Sequence, residues 1–243
     1  MTRKTTWGAQ LAVLMLCALA LKFFYSTATA NELRWILGPT TALVELLSAR
    51  SFEFESYTGY MSSDHTFLIA VPCAGVNFLI TAFLMIGLRR LWRGHFQSVS
   101  WRFLPIAAFA AYLATLIANT VRICIALEIQ RRSIEVGWLT GNQLHRLEGI
   151  VIYFGFLMVL FIVTERSGDR RLLLFPLVIY YATTLGIPLL NGSYGQGSGF
   201  WEHFVFVLVL PLGILLLVLA TRYVRQDYRI FKIYRMLLKS CKS

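Results

Sequence analysis

The sequence predicts an all-α integral membrane protein, a polytopic bundle of about six helical spans with one further short helix. Three observations predict it. The chain has 243 residues, 57% hydrophobic and only 14% charged, whereas soluble domains carry roughly 45–50% apolar and about 25% charged residues. The apolar residues are gathered into blocks of bilayer length, since a hydrocarbon core of about 30 Å takes around 20 residues of helix. The basic residues between those blocks are sorted by side, as the positive-inside rule requires. This composition excludes a disordered chain, a disulfide-dense secreted module and a collagen-like rod.

The first block covers residues 9–25. Ala28-Thr29-Ala30 resembles a small-residue cleavage site, but the block is too long and too weakly cleavable for a signal peptide and reads as an uncleaved first helix. Residues 33–47 (LRWILGPTTALVELL) are apolar, shorter than a span, and carry Gly38-Pro39 near their middle. That pattern predicts a re-entrant or interfacial helix on the outer face. Further spans are expected over 66–88, 103–127, 147–164, 172–190 and 203–221, followed by a basic tail over 222–243. No soluble domain separates from them, so residues 1–243 read as one transmembrane domain.

With both termini in the cytoplasm, the inner segments hold 16 of the 23 Lys and Arg. The net charge of +11 is then mostly topology, and it is no footprint of nucleic acid, for which the chain has no soluble basic fold. Lys22 and Arg122 alone fall within spans.

Under this topology four reactive side chains meet at the outer ends of different helices: Cys73, Arg122, His145 and His203. Cys73 stands in Val71-Pro72-Cys73-Ala74-Gly75-Val76-Asn77-Phe78, some seven residues into the second span. Pro72 favours a helix start, which would put Cys73 in a first turn where free N–H groups favour a thiolate. A small buried cysteine is the plainer alternative, and a Cys73–Cys124 disulfide is another. Cys17 and Cys241 take the plain reading.

An arginine inside a span costs on the order of 2.5–3.5 kcal/mol on insertion scales and usually faces a polar cavity or a partner. Asn119 precedes Arg122 by three residues and shares its helical face. Snorkelling to the outer headgroups is the competing account. His145 and Glu148 also stand three apart, giving an imidazole suited to acid–base work and a carboxylate to orient it or to pair with Arg146. Glu202-His203 follows the glycine-rich run 191–199 (NGSYGQGSG) and is a reserve pair. His65 and His95 read as solvated. No HExxH, paired-cysteine spacing or GxSxG elbow is present in the sequence, so metal chemistry and a serine nucleophile are unsupported and no cofactor is expected.

Cys73, the Asn119-x-x-Arg122 pair and His145, in that order and on one membrane side, resemble the exosortase/archaeosortase family. Pro-Cys-Ala-Gly-Val-Asn-Phe looks most like the exosortase K branch, and the likeness runs from Gly38-Pro39-Thr40 through Gly59-Tyr60 to Gly149. The resemblance implies a protein-sorting cysteine transpeptidase of the bacterial inner membrane, acting at its outer face. Its substrate would be a membrane-anchored protein with a C-terminal tail of motif, transmembrane helix and basic cluster, which it would transfer to a surface acceptor, often beside exopolysaccharide production. Cys73, Arg122 and His145 would be catalytic, with Asn119, Glu148 and Asn77 in support. An intramembrane peptidase releasing its product to water, and a non-enzymatic polysaccharide export or assembly factor, are the alternatives.

Overall fold

The computed structural model describes residues 3–94, 99–132, 141–165, 170–190 and 201–221. The basic tail 222–243, the run 191–199, His95 and Cys241 lie outside them. The chain is mostly helical: α1 (Arg3–Thr27), α2 (Arg34–Ser48), α3 (Val76–Arg93), α4 (Phe103–Arg131), α5 (Gly141–Thr164), α6 (Leu174–Tyr181), α7 (Ile187–Leu190) and α8 (Trp201–Thr221). Five stretches are helical, long and apolar enough to cross a bilayer: Thr6–Thr27, Val71–Arg93, Phe103–Arg131, Gln143–Thr164 and Trp201–Thr221.

The expected span 172–190 comes out differently. Its helical part, Leu174–Leu189, is a shorter apolar helix of about 24 Å, and a π-helical turn over Ala182–Gly186 interrupts it. The reason is local. Pro188 has no N–H to give the preceding turn, and the hydroxyls of Thr183 and Thr184 bond back to the carbonyls of Ile179 and Tyr180. Such back-bonding and a missing donor both open a helix.

The bundle is organised around α3, which packs on α1, α4, α5 and α6. It carries the most buried of the five windows, at 67%, with Phe78, Ile80, Ala82 and Met85 in the core. Its C-terminus holds Arg90 and Arg93 in the last turn, where cations suit the helix dipole. Arg89 and Arg93 both reach Glu165 beyond the end of α5, at 2.5 and 2.6 Å. At the same end, the buried Gln10 of α1 holds the backbone of Val99 in both directions.

A small sheet that the sequence reading does not anticipate caps the opposite end. Strands β1 (Phe52–Glu55), β2 (Gly59–Ser62) and β3 (Leu68–Ala70) form an antiparallel meander. Gly59 is fixed by this sheet: its φ is +130°, and a Cβ would stand 2.3 Å from the Ile69 carbonyl oxygen. Glu45 of α2 accepts the Phe52 N–H, and Gln130 near the end of α4 donates to the Thr66 carbonyl. In the β2–β3 turn, the Ser62 and Thr66 hydroxyls hold Asp64 down at about 2, aided by the Thr66 N–H and Arg50.

Helix α2 has 15 residues, about 22 Å, so it is too short to span, as its sequence predicts. Gly38-Pro39 does not break it. Proline leaves the carbonyl four residues back without its helical donor, and here that carbonyl, of Trp35, accepts from the Tyr112 hydroxyl of α4 at 2.8 Å. The two rings also stack, 5.8 Å apart. Tyr112→Phe is expected to destabilise the protein by about 0.5–1.5 kcal/mol. In a Pro39→Ala background the loss shrinks, because residue 39 then supplies its own N–H to Trp35. A double-mutant cycle on unfolding in detergent measures it, and equal losses in both backgrounds would refute the pairing.

Candidate active site

Cys73 lies in a single 3-10 turn, Val71–Ala74, between β3 and α3. Two expectations change here. The thiol stands at the very start of the Val71–Arg93 stretch and not seven residues inside a span, because residues 68–70 are spent on β3. It is also not in the first turn of α3, because Gly75 intervenes with a left-handed φ of +71°. The support expected from α3's N-terminal dipole therefore does not carry over to the thiol. Gly75 answers a second demand: a Cβ there would meet the side chains of Asn119 and Thr115 at 3.2 Å, so glycine lets α4 approach the turn closely.

That close approach sets up the site. Asn119, fully buried on α4, donates from Nδ2 to the backbone carbonyl of Cys73 itself. Its Oδ1 accepts from the Tyr153 hydroxyl of α5 at 2.8 Å. The same hydroxyl accepts from Arg122 Nη1 at 3.1 Å, and the guanidinium lies over the Tyr153 ring, 5.4 Å from its centroid. Arg122 Nη2 meets His145 Nε2 at 2.7 Å. Arginine only donates, so Nε2 is the acceptor and the imidazole proton sits on Nδ1. That nitrogen faces Glu148, 3.5 Å away. Cys73, Asn119, Tyr153, Arg122, His145 and Glu148 thus form one connected chain across the 3-10 turn, α4 and α5.

Burial shapes this chain. The Glu148 side chain is 6% exposed, against 46% for His145. Both Glu148 oxygens, and Arg122 Nε, are buried without a hydrogen-bond partner. Gly149 makes room for the guanidinium, since a Cβ there would sit 3.3 Å from Arg122 Nε. Arg122 therefore does not snorkel away: its head is tied down by Tyr153 and His145. Glu148 faces His145. Cys73 and Cys124 are both free thiols, so the disulfide alternative is not realised.

Asn77 and His203 are not part of this chain. Asn77 accepts from Lys22 of α1 at 2.8 Å, and with His203 it lines a separate cavity beside α1 and α7. Glu202 is engaged by Gln143 of α5. His65 is exposed in the β2–β3 turn with φ of +53°. The residue that sequence reasoning missed is Tyr153, which joins Asn119 to Arg122 and stacks on Phe78 of the cysteine motif at 5.1 Å. A signal for it exists: His145, Gly149 and Tyr153 recur every four residues, so they share one stripe of α5.

Comparison with protein-family models, with curated proteins and with solved structures finds no match for this chain.

Proposed function

We propose that this chain is a membrane cysteine transpeptidase that cuts the C-terminal sorting tail of a membrane-anchored protein and passes the protein to a surface acceptor. The observation that carries the reading is the continuous hydrogen-bonded chain from the Cys73 backbone to His145, built from three segments far apart in sequence. The sorting of basic residues supports a site at the outer face, with both termini in the cytoplasm. A tail whose cleavage motif adjoins its own membrane helix must be met at that interface. The exposed Leu46 and Leu47 of α2 fit a helix lying in it.

The proposed chemistry rearranges the resting contacts. As a scissile carbonyl arrives, Arg122 turns Nη2 from His145 to the carbonyl oxygen while Tyr153 keeps Nη1. This frees the Nε2 lone pair to take the Cys73 thiol proton. The thiolate adds to the carbonyl carbon, and the electron pair displaced onto oxygen is held by Arg122. The imidazolium faces Glu148, whose buried carboxylate gains a cationic partner at that moment. As the C–N bond breaks, His145 returns the proton to the leaving amine and a thioester remains on Cys73. The acceptor then gives its proton to His145 and displaces the thiolate.

Hydroxylamine interception tests this sequence, because a small strong nucleophile diverts a thioester to a hydroxamate and frees the thiol. With a tailed substrate in proteoliposomes, the wild-type chain is expected to yield a product ending in a hydroxamate. Product carrying only a free carboxylate, with hydroxylamine in excess, would sink the thioester.

A further inference from the structure

The cavity that Asn77 and His203 share has a volume of about 340 Å³, and Lys22, Thr81, Thr183 and Thr184 also line it. Its composition is unusual for its place. Lys22 lies within Thr6–Thr27, Asn77 and Thr81 within Val71–Arg93, and His203 within Trp201–Thr221, all stretches apolar and long enough to span. An ionisable side chain at such a depth marks a functional site and calls for a partner.

Among the described residues, no carboxylate lines this cavity. The only hydrogen bond described for the Lys22 ammonium is to the neutral Asn77, and the ammonium also lies over the Tyr25 ring at 5.7 Å. The acid nearest His203 in sequence, Glu202, is held by Gln143. With Asn77 Oδ1 occupied by Lys22, its Nδ2 remains a donor. The threonines line the wall: Thr81 meets Thr183 at 2.9 Å and donates to the Asn77 carbonyl. The cavity therefore offers a cation, an imidazole and an amide N–H around space opened by the π-helical turn.

Depth and surroundings indicate the ligand's source. Lys22 is five residues from the end of α1 and His203 is in the first turn of α8, so both lie within about 8 Å of their helix ends, the depth of lipid phosphates. Beside Lys22, Phe23 is 75% exposed, and Val205 on α8 is 52% exposed, leaving apolar surface for acyl chains. We propose that this cavity binds the phosphate of an anionic membrane lipid, with Lys22 as its charge partner and Asn77 and His203 as hydrogen-bonding partners.

The test uses the full chain in a neutral detergent, titrated with short-chain phosphatidylglycerol and, separately, with inorganic phosphate, with bound lipid counted by native mass spectrometry. Wild-type protein is expected to retain phosphatidylglycerol, Lys22→Met to weaken it about fivefold or more, and Lys22→Arg to keep it. Arg50→Gln, which removes a half-buried charge beside the sheet and outside the cavity lining, is expected to change nothing. Equal retention in wild type and Lys22→Met overturns the proposal, and so does an equal loss in Arg50→Gln, which would signify unspecific surface charge. Inorganic phosphate competing as well as the lipid would overturn the assignment to a lipid. Helical circular dichroism of each variant confirms folding, and none of these readouts depends on the catalytic reading.

Discussion

Cys73→Ala is expected to abolish cleavage of a tailed substrate, with a rate loss on the order of 10⁴-fold or more, while the protein reaches its wild-type level in the membrane. The two halves of this expectation have different origins. The rate loss would come from removing the proposed nucleophilic sulfur, for which Tyr153, spent on Asn119 and Arg122, is a poor substitute. The retained level follows from the thiol's modest structural part: it is half-buried at the edge of the core and in no disulfide. Cleavage kinetics alongside quantitative immunoblotting give both numbers. Wild-type cleavage by Cys73→Ala ends the nucleophile assignment, whichever product is formed.

Arg122→Lys should slow the same reaction by about 10²–10³-fold with little loss of stability. A lysine keeps a positive charge near the buried Glu148, so it spares the protein an uncompensated buried carboxylate. It cannot copy the guanidinium fork, which reaches Tyr153 with one nitrogen and His145 with the other. The oxyanion would lose a donor held in position, and His145 would lose the partner that fixes its tautomer. Arg122→Gln should be as slow and also less stable, because it removes a positive charge near the buried Glu148 and leaves that side chain less compensated. Tyr153→Phe should fall between, losing about tenfold, as Arg122 keeps its charge but one anchor is gone. Rates for the three variants against thermal unfolding separate charge from geometry. A lysine variant within a fewfold of wild type would remove Arg122 from oxyanion stabilisation.

Much of this site is readable in the sequence because its members violate local expectation. Arg122 is an anomaly in an apolar run, Asn119 shares its face by simple helical spacing, and Pro72 and Gly75 around Cys73 announce a backbone that stops and restarts. The ends of the long helices follow the same logic, with hydropathy and the sorting of Arg89, Arg93 and Arg102 placing α3 and α4. What could not be read is whatever depends on contact between distant segments. Tyr153 is one tyrosine among 11, and only its hydroxyl's position between Asn119 and Arg122 distinguishes it. Lys22 and Asn77 stand 55 residues apart, and no spacing rule joins them. The sheet has a local signal, the alternating Phe52-Glu53-Phe54-Glu55, which is short and lies between two apolar runs. The helix expected over 172–190 is interrupted for a local reason too: Pro188 and two threonines are compatible with apolar composition but not with an unbroken helix.

The bond from Asn119 to the Cys73 carbonyl bears on how any substitution at that position can be read. A main-chain carbonyl is the same for every amino acid, so this grip is blind to the identity of residue 73. Serine, alanine or selenocysteine would be held at the same place against α4. The side chain can therefore be varied as an independent variable, with its address in the molecule kept constant by a neighbour that never touches it.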